Sequence, residues 1–173
     1  MTRTVTGLAV AVLLAAGACT PSQSAQAKPS PPVTHTFAGG CAGTVLTDAE
    51  PPVWAQGGWN VVKGAPWSVP WALGSGGNAV AFVFARQLVA GSSPRVDGTS
   101  NKVLWVAKGT ASSFVVEGSP AGGTQVAVTV NGGPSIVDVP SPGCWKFSLS
   151  WGQSPATSTI SLDVLPAGSK PPA

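Results

Sequence analysis

One short run limits the folds open to this chain more than any other. From Trp145 to Trp151 the sequence reads WKFSLSW, so Trp145, Phe147, Leu149 and Trp151 share one face and Lys146, Ser148 and Ser150 the other. A strict period of two marks a β-strand with one buried face. A helix would scatter the same four apolar groups around its circumference. The strand ends a longer stretch, PSIVDVPSPGCWKFSLSW from Pro134, whose prolines enforce turns ahead of it. Thr159 to Val164 supplies a hairpin partner that turns Ile160, Leu162 and Val164 the same way. A face carrying two indoles, a phenyl ring and a leucine needs a second layer to cover it, which predicts packed sheets.

The rest of the chain fits that expectation. Its 173 residues hold 22 Gly and 17 Pro, enough turn formers to cut it into short strands. Lys102–Lys108 and Ser113–Glu117 read as strands, the second turning at GSPAGG into Thr124–Val130. Asn131-Gly132 is a strong hairpin signal and predicts a return into Ser135–Val139. A shorter strand is expected near Thr44–Thr47. Ala79–Ala90, AVAFVFARQLVA, has a helical stripe at Val80, Phe84 and Leu88, but its Val/Phe density and β-rich neighbours favour one buried strand. Pro51–Asn78 carries four of the seven Trp between Gly and Pro and reads as a long ordered loop, with a strand at Val61-Val62. The expected fold is all-β: a single immunoglobulin-like β-sandwich of about seven strands over residues 36–165.

The amino terminus predicts a location. Residues 1–18 have one Arg3, an apolar core from Leu8 to Ala16, and Ala16-Gly17-Ala18 before Cys19. That is too short to span a bilayer and reads as an export signal. The small residues before Cys19 resemble the lipobox of bacterial lipoproteins, with Ala16 where Leu is commonest. The resemblance implies lipidation of Cys19 and a membrane partner through that anchor, on the outer face of the cell membrane. An ordinary secretory signal cleaved near Ala18 is the alternative. Residues 19–35 are Pro/Ser-rich and read as a flexible tether; residues 166–173, PAGSKPPA, read as a disordered tail.

With Cys19 acylated, Cys41 and Cys144 remain, and an exported pair most simply forms a disulfide. Cys144 falls on the polar face with Lys146 and Ser148, which places the bridge at the sandwich edge, tying down the amino-terminal segment. An immunoglobulin-type central pin would need Cys144 turned inward by a bulge at Gly143.

NKVLWVA (Asn101–Ala107), PSIVDVPSPGCWKFSLSWG (Pro134–Gly152) and the Pro-x-Trp-Ala-x-x-Gly segment at Pro52–Gly58 carry a family resemblance. Together they resemble an uncharacterised family of exported and lipid-anchored actinobacterial proteins. The resemblance implies an exported, sandwich-like domain and transfers no catalytic residues.

Chemistry is thinly represented. The formal charge is +3, and Lys63, Arg86, Arg95, Lys102, Lys108 and Lys146 stand singly, so no nucleic-acid surface is expected. His35, the only histidine, closes the tether and reads as a solvated linker residue rather than a general base or a metal ligand. Asp48 and Glu50 precede Pro51-Pro52 in what reads as an exposed loop, and Asp97 precedes Gly98 in a turn. Asp138 reads as a turn cap or the partner of a surface cation; Arg86 either faces solvent or meets such a carboxylate. Asn101 reads as a turn residue before a strand. No catalytic residues, metal site or cofactor are therefore expected. Trp105, Trp145 and Trp151 fit core positions. Trp54, Trp59, Trp67 and Trp71 are candidate ligand-binding residues, with Trp54 and Trp59 expected to be structural and Trp67 or Trp71 at least partly exposed. The expected function is a non-enzymatic, extracytoplasmic lipoprotein with a binding or structural role, its partner a cell-wall glycan or an envelope protein. A carbohydrate-binding module using the loop tryptophans is the alternative, and an envelope hydrolase ranks third.

Overall fold

The computed structural model describes residues 33–57, 66–109, 114–152 and 156–171. The signal segment, Cys19, most of the tether, Trp59, Lys63 and the strand expected at Val61-Val62 lie outside the described residues. Those residues form an all-β sandwich. Its strands are β1 (Thr36–Phe37), β2 (Leu46–Thr47), β3 (Trp71–Leu73), β4 (Ala79–Val83), β5 (Leu88–Val89) and β6 (Lys102–Ala107). They continue as β7 (Val115–Pro120), β8 (Val128–Asn131), β9 (Gly133–Ile136), β10 (Gly143–Trp151) and β11 (Ala156–Leu165). One sheet has the order β1-β2-β3-β4-β6-β9 and the other β5-β11-β10-β7-β8. The eleven described strands exceed the seven expected because several are only two to four residues long.

β10 occupies the middle of the five-stranded sheet, and its alternation does what the pattern requires. Trp145 pairs with Leu162 and Phe147 with Ile160, while Leu149 lies opposite Val116 of β7. Trp145, Phe147 and Leu149 are at most 1% exposed. They meet Ala79, Ala81 and Val83 of β4 and Val103 and Trp105 of β6 in one core, where the Trp105 and Phe147 rings lie 5.3 Å apart.

β4 is buried along its whole length, which explains its uninterrupted apolar sequence. Ala79, Ala81 and Val83 face the sandwich interior, whereas Val80 and Phe82 point outward into a second cluster with Ala55, Trp67 and Trp71. The six-stranded sheet thus has an apolar layer on each side.

Four strand expectations need correction. Ala79–Ala90 is not one strand: β4 ends at Val83, the chain turns through Arg86 at φ 59°, and Leu88-Val89 join the other sheet beside Val164-Leu165. The turn closes where Arg86 N–H donates to Val83 C=O, and the Arg95 guanidinium reaches the carbonyls of Ala85 and Gln87. Thr124–Val130 enters the ladder only at Val128, in register with Gly118. Continued pairing would place Val126 opposite Pro120, which has no N–H to give, and Gly123 N–H folds back onto Pro120 C=O. Asn131-Gly132 is not a hairpin. β8 is bound to β7 and β9 to β6, so Gly132 carries the chain from one sheet to the other. A Cβ on Gly132 would lie 2.3 Å from the Phe114 ring, so glycine is required by the close approach. Ser135–Val139 is a strand only as far as Ile136; Val137 and Val139 are buried beyond its end.

Cys41 and Cys144 form a disulfide with a Cα–Cα distance of 5.8 Å. It ties down the amino-terminal segment, whose Cys41 N–H donates to Ser161 C=O and whose Gly39 C=O accepts from Asp163 N–H. Cys144 faces outward as its parity predicts, but β10 is a central strand, so the bridge lies on the outer side of the sheet rather than at its edge.

Candidate functional site

The tryptophan-rich segment is a lid on the six-stranded sheet. Trp71 lies in β3 between Thr47 of β2 and Phe82 of β4, and its indole N–H donates to Ala49 C=O at 2.7 Å. Trp67 stacks on Phe82 with centroids 6.0 Å apart and planes inclined by 29°. Its backbone N–H donates to Asp48 C=O. Between them Pro70 C=O accepts from Val83 N–H, fixing the strap to β4.

The exposure expected of Trp67 or Trp71 is overturned. Trp67 is 9% exposed and Trp71 6%, because both rings must cover Val80 and Phe82 on an otherwise bare sheet face. Neither offers a free indole face to a ligand. Trp54 keeps the structural place expected of it: half-buried in a 3-10 turn, Val53–Ala55, it packs against the same cluster, while Val53 is 83% exposed. Trp59 lies outside the described residues.

Asp48 and His35 form a latch beside this lid, contrary to an exposed loop and a solvated linker. The carboxylate accepts the His35 backbone N–H at 2.7 Å on one oxygen and contacts ring Nδ1 at 2.7 Å with the other. Asp48 N–H donates in turn to His35 C=O, extending the β1–β2 pairing. Burial opposes charge on this carboxyl, but the bonds from His35 outweigh it and hold the group below its ordinary pKa. The Asp48 side chain is 6% exposed and the His35 ring 58%, so the histidine works as the cover of a buried acid.

A second polar network binds the loop between β5 and β6. Asn101 is completely buried; its amide accepts Val89 N–H at 3.0 Å and donates to Val89 C=O at 2.8 Å. It also donates to Asp138, which accepts the backbone N–H and the hydroxyl of Ser93. Asp138 therefore caps a turn, one of the two roles expected for it, and Arg86 is exposed in its own turn. Arg95 grips Asp97 with two nitrogens, and Thr99 donates its N–H and hydroxyl to the same carboxylate. The Thr99 bonds, with a smaller contribution from Arg95, hold Asp97 down at about 2. Asn101 is the important residue that sequence reasoning missed. An Asn ahead of a strand looks like any turn residue, and only the crossing of β5 to the other sheet makes its amide a substitute ladder.

Two clefts flank this loop. One, of about 270 Å³, lies among Gly91, Ser92, Ala127, Val128, Asp138 and Pro140; the other, of about 180 Å³, is bordered by Val89, Arg95, Val96 and Gly168. The charged group of each is already engaged: Asp138 with Ser93 in the first, Arg95 with Asp97 in the second. The histidine meets a different acid, so hydroxyl, imidazole and carboxylate are not gathered in one place. Among the described residues no three His, Cys, Asp or Glu side chains come together as metal ligands. Comparison with family models, curated proteins and solved structures finds no match.

Proposed function

We propose that this protein is a non-enzymatic lipoprotein on the outer face of a cell membrane, anchored through Cys19, whose sandwich binds or supports another envelope component. The observation that carries this reading is the Cys41–Cys144 disulfide. Such a bond belongs to an oxidising compartment, and it stands in a chain whose first 19 residues read as an export signal ending at a lipidation cysteine. Burial of Trp67 and Trp71 favours a protein partner over a glycan held on those rings. Asp48, Asp97 and Asp138 are occupied in holding backbone N–H groups, which supports a scaffold more than a reaction centre.

The test is metabolic labelling with an alkyne fatty acid, followed by detergent phase partition of the full chain. Wild type labels and enters the detergent phase; Cys19→Ala does neither. Label retained by the alanine variant, or wild type recovered unlabelled in the aqueous phase, overturns the anchor.

A further inference from the structure

The two outer faces of the sandwich are unlike. On the five-stranded sheet the cross-strand register groups Lys146, Ser148 and Ser150 of β10 with Thr157 and Thr159 of β11 and Glu117 of β7. The β10 members alternate with the buried Trp145, Phe147 and Leu149, so this set stands on the solvent side. Among the described residues Val115 is the one large exposed apolar group that the same register adds to it. The six-stranded sheet turns a different surface outward. There the lid packs Ala55 and Trp54 inward and leaves Val53 83% exposed.

Beside the lid the apolar surface continues. Leu73 of β3 pairs with Val80 of β4, which belongs to the lid cluster, so Leu73 lies on the lid side and is 45% exposed. Leu46 of β2 points into the inner core and pairs with Ala72, so Val45 just before it comes opposite Leu73 on the lid side, 58% exposed. Lys102 of β6 alternates with the buried Val103 and pairs with Ile136, which puts both on the lid side. Ile136 is exposed, and Lys102 Nζ lies 5.1 Å from the centre of the exposed Phe84 ring. Exposed charges border this surface: Lys102, Arg86 two residues past Phe84, Lys108 after β6, and Glu50 ahead of the lid turn.

We propose that the lid face lies against the lipid bilayer and turns the hydroxyl-bearing face of the five-stranded sheet toward the envelope component. This orientation rests on Cys19 being acylated, as proposed above. The anchored end of the chain enters on the lid side. Val33 follows Cys19 by 14 residues, at most about 50 Å of fully extended chain. Val33, itself 72% exposed, leads into His35, which bonds to Asp48. The carbonyl of that same Asp48 holds the Trp67 N–H, so one residue fastens both the root of the tether and the lid. A bilayer therefore stays within reach of this face, at an effective concentration that makes contacts of a few side chains count. Val45, Val53, Leu73, Phe84 and Ile136 gain by leaving water for the acyl boundary. The bordering Lys and Arg side chains reach headgroup phosphates while their stems lie along apolar surface.

The test uses the full chain, expressed with its leader in an envelope-bearing host and reconstituted into phosphatidylcholine vesicles. With Cys19 acylated and Cys41 joined to Cys144, the thiol of a Val53→Cys, Leu73→Cys or Ser150→Cys variant is the one that takes a fluorescent label. All three positions are exposed, so the fold tolerates the change. A bilayer against the lid face gives labels at positions 53 and 73 that a doxyl-bearing lipid quenches several times more than the label at position 150, which aqueous iodide quenches instead. Equal lipid quenching at the three positions, or more at position 150, overturns the orientation while the anchor stands. Labels at 53 and 73 that become shielded from iodide without being reached by the doxyl lipid mean that a second copy covers the face, and also overturn it. Wild-type chain that fails to float with the vesicles overturns the anchor and the orientation with it.

Discussion

Replacing Trp71 by alanine should unfold the lid and cost the domain a large part of its stability. The indole is 94% covered, lies against Phe82 and closes a hydrogen bond to Ala49 C=O. Removing roughly 200 Å² of buried aromatic surface at about 25 cal/mol per Å² costs about 5 kcal/mol. Partial collapse of the cavity brings the expected loss to about 4 kcal/mol. For the 130 residues from Thr36 to Leu165, an unfolding entropy of about 2.1 cal/mol/K per residue gives about 0.27 kcal/mol/K, so Tm falls by about 15 °C. Trp71→Phe keeps a ring over Val80 and Phe82 but strands the Ala49 carbonyl, and should cost only about 1–2 kcal/mol. Trp54→Ala, at a half-buried ring, should fall between the phenylalanine variant and Trp71→Ala. Thermal melts followed by circular dichroism, with urea titrations at 25 °C, measure all three. A Trp71→Ala protein melting within about 3 °C of wild type would refute the reasoning, since so small a shift is what an exposed ring gives.

Other perturbations test other parts of the fold. Asn101→Asp places a second carboxylate beside Asp138 and removes the donor to Val89 C=O, so a loss of at least about 3 kcal/mol is expected in urea titrations, with Asn101→Ala less severe. Asp48 has a folded pKa below its unfolded value, so its contribution to stability is complete above about pH 4 and drains away as the pH falls further. Asp48→Asn should flatten stability against pH below that point, read from urea midpoints at successive pH values. Opening the disulfide by Cys144→Ser frees a loop with a sequence separation of 103 and should lower stability by about 4 kcal/mol, with a matching fall in Tm.

The layers of this fold were legible because local pattern and burial coincide in them. WKFSLSW declares its faces, and its expected partner Thr159–Val164 pairs with it antiparallel, with Ile160, Leu162 and Val164 buried as their alternation requires. The Cys41–Cys144 pair is expected from reading Cys19 as a lipidation site, which leaves these two cysteines to pair, and the disulfide is there. What local pattern cannot carry is sheet membership. AVAFVFARQLVA looks continuous because both its halves are buried, yet Arg86 sends one half to each sheet. Asn131-Gly132 has the composition of a hairpin, but β7 and β6 hold its two flanks in different layers. The exposure expected of Trp67 or Trp71 failed for a similar reason. Gly and Pro around Trp67 and Trp71 signal an irregular backbone and say nothing of the sheet face beneath, which Val80 and Phe82 leave apolar. The latch at His35 depends on β1 pairing with β2, a two-residue contact too short to leave a pattern.

The position of β10 and β11 has a consequence for the order in which the molecule comes into being. These two strands are the middle of the five-stranded sheet, yet they arrive last, within residues 143–165 of 173. β5 must wait for Val164, 76 residues further on, before it has a neighbour, and β7 must wait for β10 before its second edge is filled. A polypeptide emerging amino terminus first from a ribosome thus has no complete second layer to offer its nascent six-stranded sheet. Folding cannot finish ahead of synthesis. Any channel that accepts only unfolded substrates would therefore find such a chain threadable until its final strands have been made.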